Sequence, residues 1–370
     1  MYDHVFSPLR VGGLELKNRL TMAPLYLGYA GEAGLVNEPL LEHYRLMATS
    51  GVALVVVENA SIDHPVASGA KRELLVDTDD CIEGLTRLAQ TIKKEDALAS
   101  LQLNHAGRFA RMAPQPVAPS AIETFGRQTR ALATEEMTGI AEKFAQASRR
   151  VKEAGFDLVE LHGATGYLLS EFISPRTNRR EDSYGGSIEN RCRFPLQVIH
   201  AVKSAVGDLP VGYRFLAEEW LPDGLRLEEA CRAAEILAGA GIAYLSVMGG
   251  TYESFGLPDV LKRSEQPGYM VELAAAVKSA VDIPVIVAGR VDSGALADQI
   301  IAEGKADLIG LARVLWADPE WPAKVREGRE DEIIPCDCQG ACNTLVARDM
   351  PALCARWPRE KLEAWRARMV

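Results

Sequence analysis

Eight short apolar runs of strand length alternate along the chain with longer segments whose apolar residues recur at helical spacing. That alternation is the pattern of a parallel sheet assembled from strand–helix units. The runs cover residues 20–23, 54–57, 98–103, 158–161, 211–215, 244–247, 285–288 and 308–311, and helices are expected over 40–48, 81–93, 134–154, 191–206, 227–240, 269–281 and 293–303. Eight such units close a (β/α)8 TIM barrel of the α/β class. A doubly wound sheet would announce a nucleotide site by G-x-G-x-x-G between a strand and a helix, and no such motif occurs. Gly239-Ala-Gly241 runs from helix to strand and suits a helix C-cap instead.

Two appendages frame this core. Leu9-Arg-Val-Gly12-Gly13-Leu-Glu-Leu reads as a β-hairpin that can plug the bottom of the barrel, and a Pro-rich loop over 112–120 follows the third strand on the side where barrel active sites form. The barrel is expected over 1–334 and a cysteine-rich C-terminal segment over 335–370. A formal net charge of −10 argues against broad nucleic-acid binding and leaves room for a local phosphate pocket. No basic leader precedes an apolar run and no stretch reaches membrane length, so a cytoplasmic protein acting on a small molecule is expected. Homo-oligomers are frequent among barrel enzymes, and one is expected here.

Four of the seven cysteines crowd into that tail, as Cys336-Asp-Cys338-Gln-Gly-Ala-Cys342 and, after eleven intervening residues, Cys354. Four thiolates on short loops can clamp a [4Fe–4S] cube, with a four-cysteine zinc site as rival and unliganded thiols as the third reading. Cys81, Cys192 and Cys231 are scattered through helical segments and read as packing residues. In a barrel the chemistry lies where strands end. After the fourth strand come His162, Thr165 and Tyr167, an imidazole, a hydroxyl and a phenol in quick succession. A neutral histidine donates to a carbonyl and a tyrosine delivers a proton while staying protonated at neutral pH; a capped loop is the competing reading.

The same stretch, His162-Gly-Ala-Thr165-Gly-Tyr167 through Pro175-Arg-Thr-Asn178-Arg-Arg-Glu-Asp182-Ser-Tyr184-Gly-Gly to Asn190-Arg191, resembles the old yellow enzyme family. Asn18-Arg19-Leu-Thr-Met-Ala-Pro24, Gln102-Leu-Asn-His105-Ala-Gly-Arg108, Ala288-Gly289-Arg290 and Gly310-Leu-Ala-Arg313 extend the resemblance from residue 4 to about 355. The cysteine tail resembles the branch of 2,4-dienoyl-CoA reductase, enoate reductases and trimethylamine dehydrogenase, whose barrels carry FMN beside a [4Fe–4S] cluster. Cys336-x-Cys338 is one residue shorter than the C-x2-C of that branch, which weakens Cys336 as a ligand more than Cys338, Cys342 or Cys354.

For FMN the resemblance implies a phosphate held by Gly289, Arg290, Ala312 and Arg313. It implies a flavin ring met by Ala23, Pro24, Leu25, Tyr26 and Asn59, with Gln102 reading the pyrimidine edge and Arg214 near N1. Tyr26 stands where relatives carry Thr or Cys, a substitution that retunes the flavin. The implied reaction is hydride transfer from flavin N5 to the β-carbon of an activated alkene, with Tyr167 as proton donor, His162 on the substrate carbonyl and Thr165 in place of the usual Asn or His partner. Tyr252 falls near a catalytic histidine of the dienoyl-CoA reductases and is either a second phenol or pocket lining. Arg108 and Arg176 more often belong to ordinary salt bridges, with contact to a carboxylate or CoA phosphate as the lesser alternative. Substrates would be an enoyl thioester such as one of CoA, an enoate or an enone. Electrons would come from NAD(P)H, through a cluster and a separate FAD- or NAD-binding subunit or directly. An electron-transfer flavoprotein subunit and an amine dehydrogenase are the remaining readings.

Overall fold

The computed structural model describes residues 2–337 and 340–368. Eight parallel strands form a closed barrel: β1 (Leu20–Met22), β2 (Leu54–Ser61), β3 (Leu98–Asn104), β4 (Leu158–Gly163), β5 (Val211–Glu218), β6 (Tyr244–Gly249), β7 (Val285–Val287) and β8 (Leu308–Leu311). Each pairs with the next, and closure comes from β8 on β1 in the register Ile309↔Leu20, Gly310↔Thr21, Leu311↔Met22. Side chains on both faces are buried, which is why these strands read as continuous apolar runs without alternation.

The hairpin forms as expected, Leu9–Val11 against Leu14–Leu16 around Gly12 (φ 57°) and Gly13 (φ 87°). A Cβ on Gly12 would lie 2.6 Å from Pro210 Cβ, so both sterics and backbone demand glycine there. Val11 and Leu16 pack on Leu54, Leu158, Tyr244 and Leu308, which are the first residues of four barrel strands, so the hairpin seals the N-terminal end.

The outer layer consists of α1 (Glu38–Ala48), α2 (Ile82–Lys93), α3 (Thr134–Glu153), α4 (Arg193–Val206), α5 (Leu227–Gly239), α6 (Val271–Ala280), α7 (Gly294–Ala302) and α8 (Trp321–Glu327). Local chemistry sets their ends; Asn37 Oδ1 caps α1 by accepting from Leu40 N at 3.0 Å. The helix expected over 191–206 is split at Cys192 into Ile188–Arg191 and α4. Pro195 lacks the N–H that would bond the Arg191 carbonyl, so the ladder is interrupted there. After β8 the chain makes the short helix Arg313–Ala317 and then α8, neither of which the apolar spacing signals. Asp318, extended ahead of Pro319 (φ −134°, ψ 93°), separates the two.

The C-terminal segment, with helices Ala341–Ala347 and Arg359–Arg368, has no core of its own. Ala352, Cys354, Trp357 and Trp365 are buried in the same cluster as the barrel residues. Ala352 N donates to Leu27 O (2.9 Å), Tyr29 Oη to Ala352 O (2.8 Å) and Trp357 Nε1 to Trp316 O (3.0 Å), while the Tyr29 and Trp365 rings stack at 5.2 Å. The approach to this segment is fixed by a buried ion pair, Lys324 Nζ to Asp318 Oδ2 at 2.8 Å, and the same oxygen accepts from Ile334 N at 2.8 Å.

Carboxylates also lie inside. Glu73 accepts from Asn59 Nδ2 (2.6 Å) and Gly69 N (2.8 Å), and burial pushes its pKa up to about 7; its neighbour Glu58 is pushed up to about 8, again chiefly by burial. Between the unfolded carboxylate value and pH 7 the folded state keeps a proton that the unfolded state has lost, so stability falls as pH rises through that window. Two outcomes are expected. Asp318→Ala strands a buried ammonium and lowers unfolding free energy by about 3–5 kcal/mol in urea titrations. Glu73→Gln flattens the fall in thermal midpoint of the apoprotein between roughly pH 5 and 8, removing up to about 3 kcal/mol of pH-linked loss; a variant with the wild-type slope would show that Glu73 does not carry the linkage.

Candidate active site

The strand ends open into one cavity of about 920 Å³. Of the residues singled out from the sequence, Pro24, Leu25, Tyr26, Asn59, Gln102, His162, Thr165, Tyr167, Arg214, Tyr252, Gly289, Arg290, Ala312 and Arg313 all line it. Ala23 is buried behind them, its N–H bonded to Leu311 O at 2.8 Å, and does not reach the cavity surface.

One end of the cavity is suited to an anion. Gly289 (φ 110°) and Arg290 (φ 56°) turn the chain through the left-handed region just after β7, and a Cβ on Gly289 would lie 2.9 Å from Met270 Cγ. Arg290 Nε is buried without a hydrogen bond, 3.5 Å from Asp292 Oδ2, and among the described residues the Arg313 guanidinium has no partner at all. Two under-used guanidiniums in a cavity wall are what a phosphate dianion requires. In the middle lie two amides and a third guanidinium. Gln102 Nε2 donates to Glu160 Oε1 (2.6 Å), Asn59 Nδ2 to Glu73, and Arg214 Nη1 to Ser246 Oγ (2.7 Å). The under-used guanidiniums of Arg290 and Arg313, and the amides of Asn59 and Gln102 beside Arg214, fit the phosphate and ring of FMN.

The reactive wall comes from the end of β4 and from the loops after β3, β4 and β6. His162 Nδ1 accepts from Ala164 N (3.3 Å), which assigns the proton to Nε2 on the cavity side. Burial, and then Arg214, hold its pKa well below the usual histidine range, so the ring is a neutral donor. The Tyr167 and Tyr252 hydroxyls are 2.8 Å apart, and burial raises the Tyr167 phenol well above its ordinary value. Tyr167 is buried, whereas Tyr252 is 47% exposed at the mouth. Thr165, a β-branched residue at φ 62°, turns Oγ1 to Met248 Sδ at 3.5 Å.

Several lining residues carried no sequence signal. Phe109 and Phe125 face each other at 5.8 Å, with Tyr252 5.1 Å from Phe109, and Phe125 sits at the tip of a hairpin (Glu123–Thr124 with Arg127–Gln128) formed by the loop after β3. Asn343, Val346 and Ala347 reach the cavity from the C-terminal segment, on the helix that carries Cys342. Only the spatial return of that segment identifies them. Arg108 and Arg176 make ion pairs: Arg108 Nη1 with Glu253 Oε2 at 2.6 Å, Arg176 with Glu253 at 3.2 Å and with Asp223. Cys342 and Cys354 are electrostatic neighbours beside Tyr29, and Cys338 lies outside the described residues. Among the described residues no three His, Cys, Asp or Glu side chains are grouped to hold a metal ion, and none of the helices is long and apolar enough to cross a membrane.

Comparison with known proteins agrees with this geometry. The chain is 42% identical over 350 residues to an NADH oxidase of Thermoanaerobacter brockii, covering 92% of this chain and 54% of that protein. It is 36% identical to an NADPH dehydrogenase of Geobacillus sp. (strain WCH70), covering 87% of this chain and 93% of the relative. The structure of 2-naphthoyl-CoA reductase in complex with 2-naphthoyl-CoA superposes with a TM-score of 0.92 at 28% identity, over 99% of this chain and 58% of that one. The chain thus spans about half the length of two of these three relatives. The model of the NADH:flavin oxidoreductase / NADH oxidase family matches residues 4–332, and the chain belongs to that family of FMN-binding oxidoreductases, which includes the old yellow enzymes.

Proposed function

We propose that the chain is an FMN-dependent ene-reductase that acts on an activated alkene, an enoyl thioester, enoate or enone. The observation that carries this reading is the set of donors on one cavity wall: a neutral His162 with Nε2–H free for the cavity, and a Tyr167 phenol hydrogen-bonded to Tyr252 at 2.8 Å. Bound in the cavity, FMN supplies the hydride at N5. His162 donates to the substrate carbonyl and polarises it. Tyr167 keeps its proton at neutral pH and gives it up only to the strongly basic α-carbon that develops once the β-carbon has been reduced. Tyr252, exposed at the mouth and in contact with Tyr167, returns a proton from solvent. Thr165 is turned toward Met248, so His162 bears most of the carbonyl activation.

The cavity's charge bears on the substrate. Arg108, Arg111, Arg127, Arg214, Arg290 and Arg313 line it, and among the described residues no carboxylate does. Such a wall favours an electron-poor or anionic substrate over a cationic amine, which weighs against amine oxidation. A CoA thioester is the ligand in the 2-naphthoyl-CoA reductase complex, and that supports an acyl thioester here. For the electron supply, Cys336, Cys338, Cys342 and Cys354 are proposed to hold a [4Fe–4S] cluster fed from NAD(P)H through an FAD- or NAD-binding partner. The support is the cysteine spacing and the helix bearing Cys342, whose other residues form part of the cavity wall.

Two experiments test the reading. Anaerobically purified protein is expected to show a flavin spectrum with iron and acid-labile sulfide in the ratio of one cube; zinc or no metal would refute the relay. Tyr167→Phe is expected to lower alkene turnover by about 10²-fold or more while flavin reduction proceeds at the wild-type rate. Unchanged turnover would remove Tyr167 from the chemistry.

A further inference from the structure

Glu160 takes no part in the chemistry just described, yet it is fully buried in the barrel at the centre of the flavin-facing polar groups. It stands on β4 directly opposite Gln102 of β3 and Gly212 of β5. Oε1 accepts from Gln102 Nε2 at 2.6 Å and Oε2 from Tyr244 Oη at 2.8 Å. The second contact exists because residue 212 is glycine: a Cβ there would lie 2.2 Å from the Tyr244 ring, which crosses that position to reach the carboxylate. Burial pushes the Glu160 carboxyl above the usual carboxylate range, and Arg214, two residues along β5, supplies the attraction that opposes this cost of burying the charge. Each oxygen thus accepts a donor, with a guanidinium nearby, which is the environment of an ionised carboxylate.

Two consequences follow for the groups that face the cavity. A flip of the Gln102 amide would set its carbonyl against the carboxylate, so the order of donor and acceptor that Gln102 offers is fixed. The negative charge also offsets Arg214, the cation facing the cofactor, in a low-dielectric interior where the offset is felt strongly. We propose that Glu160 is a positioning residue for the flavin: it locks the Gln102 amide in one orientation and, by countering the Arg214 charge, holds down the reduction potential of bound FMN. This rests on FMN occupying the cavity and not on which substrate the flavin serves.

The test uses the FMN-loaded full chain, with the flavin midpoint potential measured against reference dyes and FMN affinity by fluorescence. Glu160→Gln keeps the shape and an oxygen for Gln102 but removes the charge, so the potential is expected to rise by about 30 mV or more, a tenfold change for a two-electron couple. Glu160→Asp keeps the charge and withdraws it from the amide; its potential should stay at the wild-type value while FMN binds about tenfold more weakly. An unchanged potential in Glu160→Gln, or an equal rise in Glu160→Asp, overturns the proposal. If Glu160→Gln fails to retain FMN, the Asp variant decides: a raised potential there sinks the charge argument. Alkene turnover does not enter either readout, so loss of the ene-reductase reading would leave this result standing.

Discussion

The pairing of β8 with β1 is the constraint on which the site depends. It removes both sheet edges, and because each strand is joined to the next by a crossover that keeps them parallel, every strand ends around one mouth. His162 at the end of β4 and Tyr167 after it, Arg214 on β5, Tyr252 after β6, Gly289-Arg290 after β7 and Arg313 after β8 converge for that reason, although 151 positions separate the first from the last. The hairpin around Gly12 and Gly13 closes the opposite end by capping strand starts. The barrel interior is therefore dry below and open only above, where ionisable groups acquire shifted affinities for protons.

That dryness explains the distribution of charge. The chain carries a net −10, yet arginines and no carboxylates line the cavity among the described residues. Glu73 and Glu160 stand one hydrogen bond behind Asn59 and Gln102, out of the cavity surface but close enough to orient the amides in it. A carboxylate moved one position forward would repel a flavin phosphate or reduced ring; one position back, it would be buried without partners. The barrel registers, Glu160↔Gln102 and His162↔Arg214, fix this intermediate placement.

The strands were legible because residues buried on both faces leave uninterrupted apolar runs, and the strand-end rule then pointed to His162, Thr165 and Tyr167, while Arg214 came from the family resemblance. Strand lengths were less legible: β2, β4, β5 and β6 run on to Ser61, Gly163, Glu218 and Gly249, past the apolar runs, while β1 and β7 stop at Met22 and Val287, one residue short of them. Phe109, Phe125, Asn343 and Val346 were not legible. Phe109 reaches the cavity wall from a short turn after β3, Phe125 from a hairpin beyond the Pro-rich loop, and Asn343 and Val346 from a helix that returns over the barrel, and none of these leaves a local periodicity. Arg108 and Arg176 bear out the salt-bridge reading, and the structure supplies what the sequence could not, their partners Glu253 and Asp223.

The C-terminal segment has the same dependence on closure. Its Trp357 and Trp365 are buried against Trp316, which follows β8, and against Tyr29, which follows β1, so the segment packs where the barrel's last unit meets its first. Cys354 lies in that packing and Cys342 lies on the helix that walls the cavity. If four thiolates there take up a cluster as proposed, the energy of metal binding is spent on ordering the same helix that shapes the flavin site. Electron supply and cavity shape are then linked by one short stretch of chain: ligand loss at Cys342 would disturb the wall at Asn343 and Val346 even before any effect on electron flow.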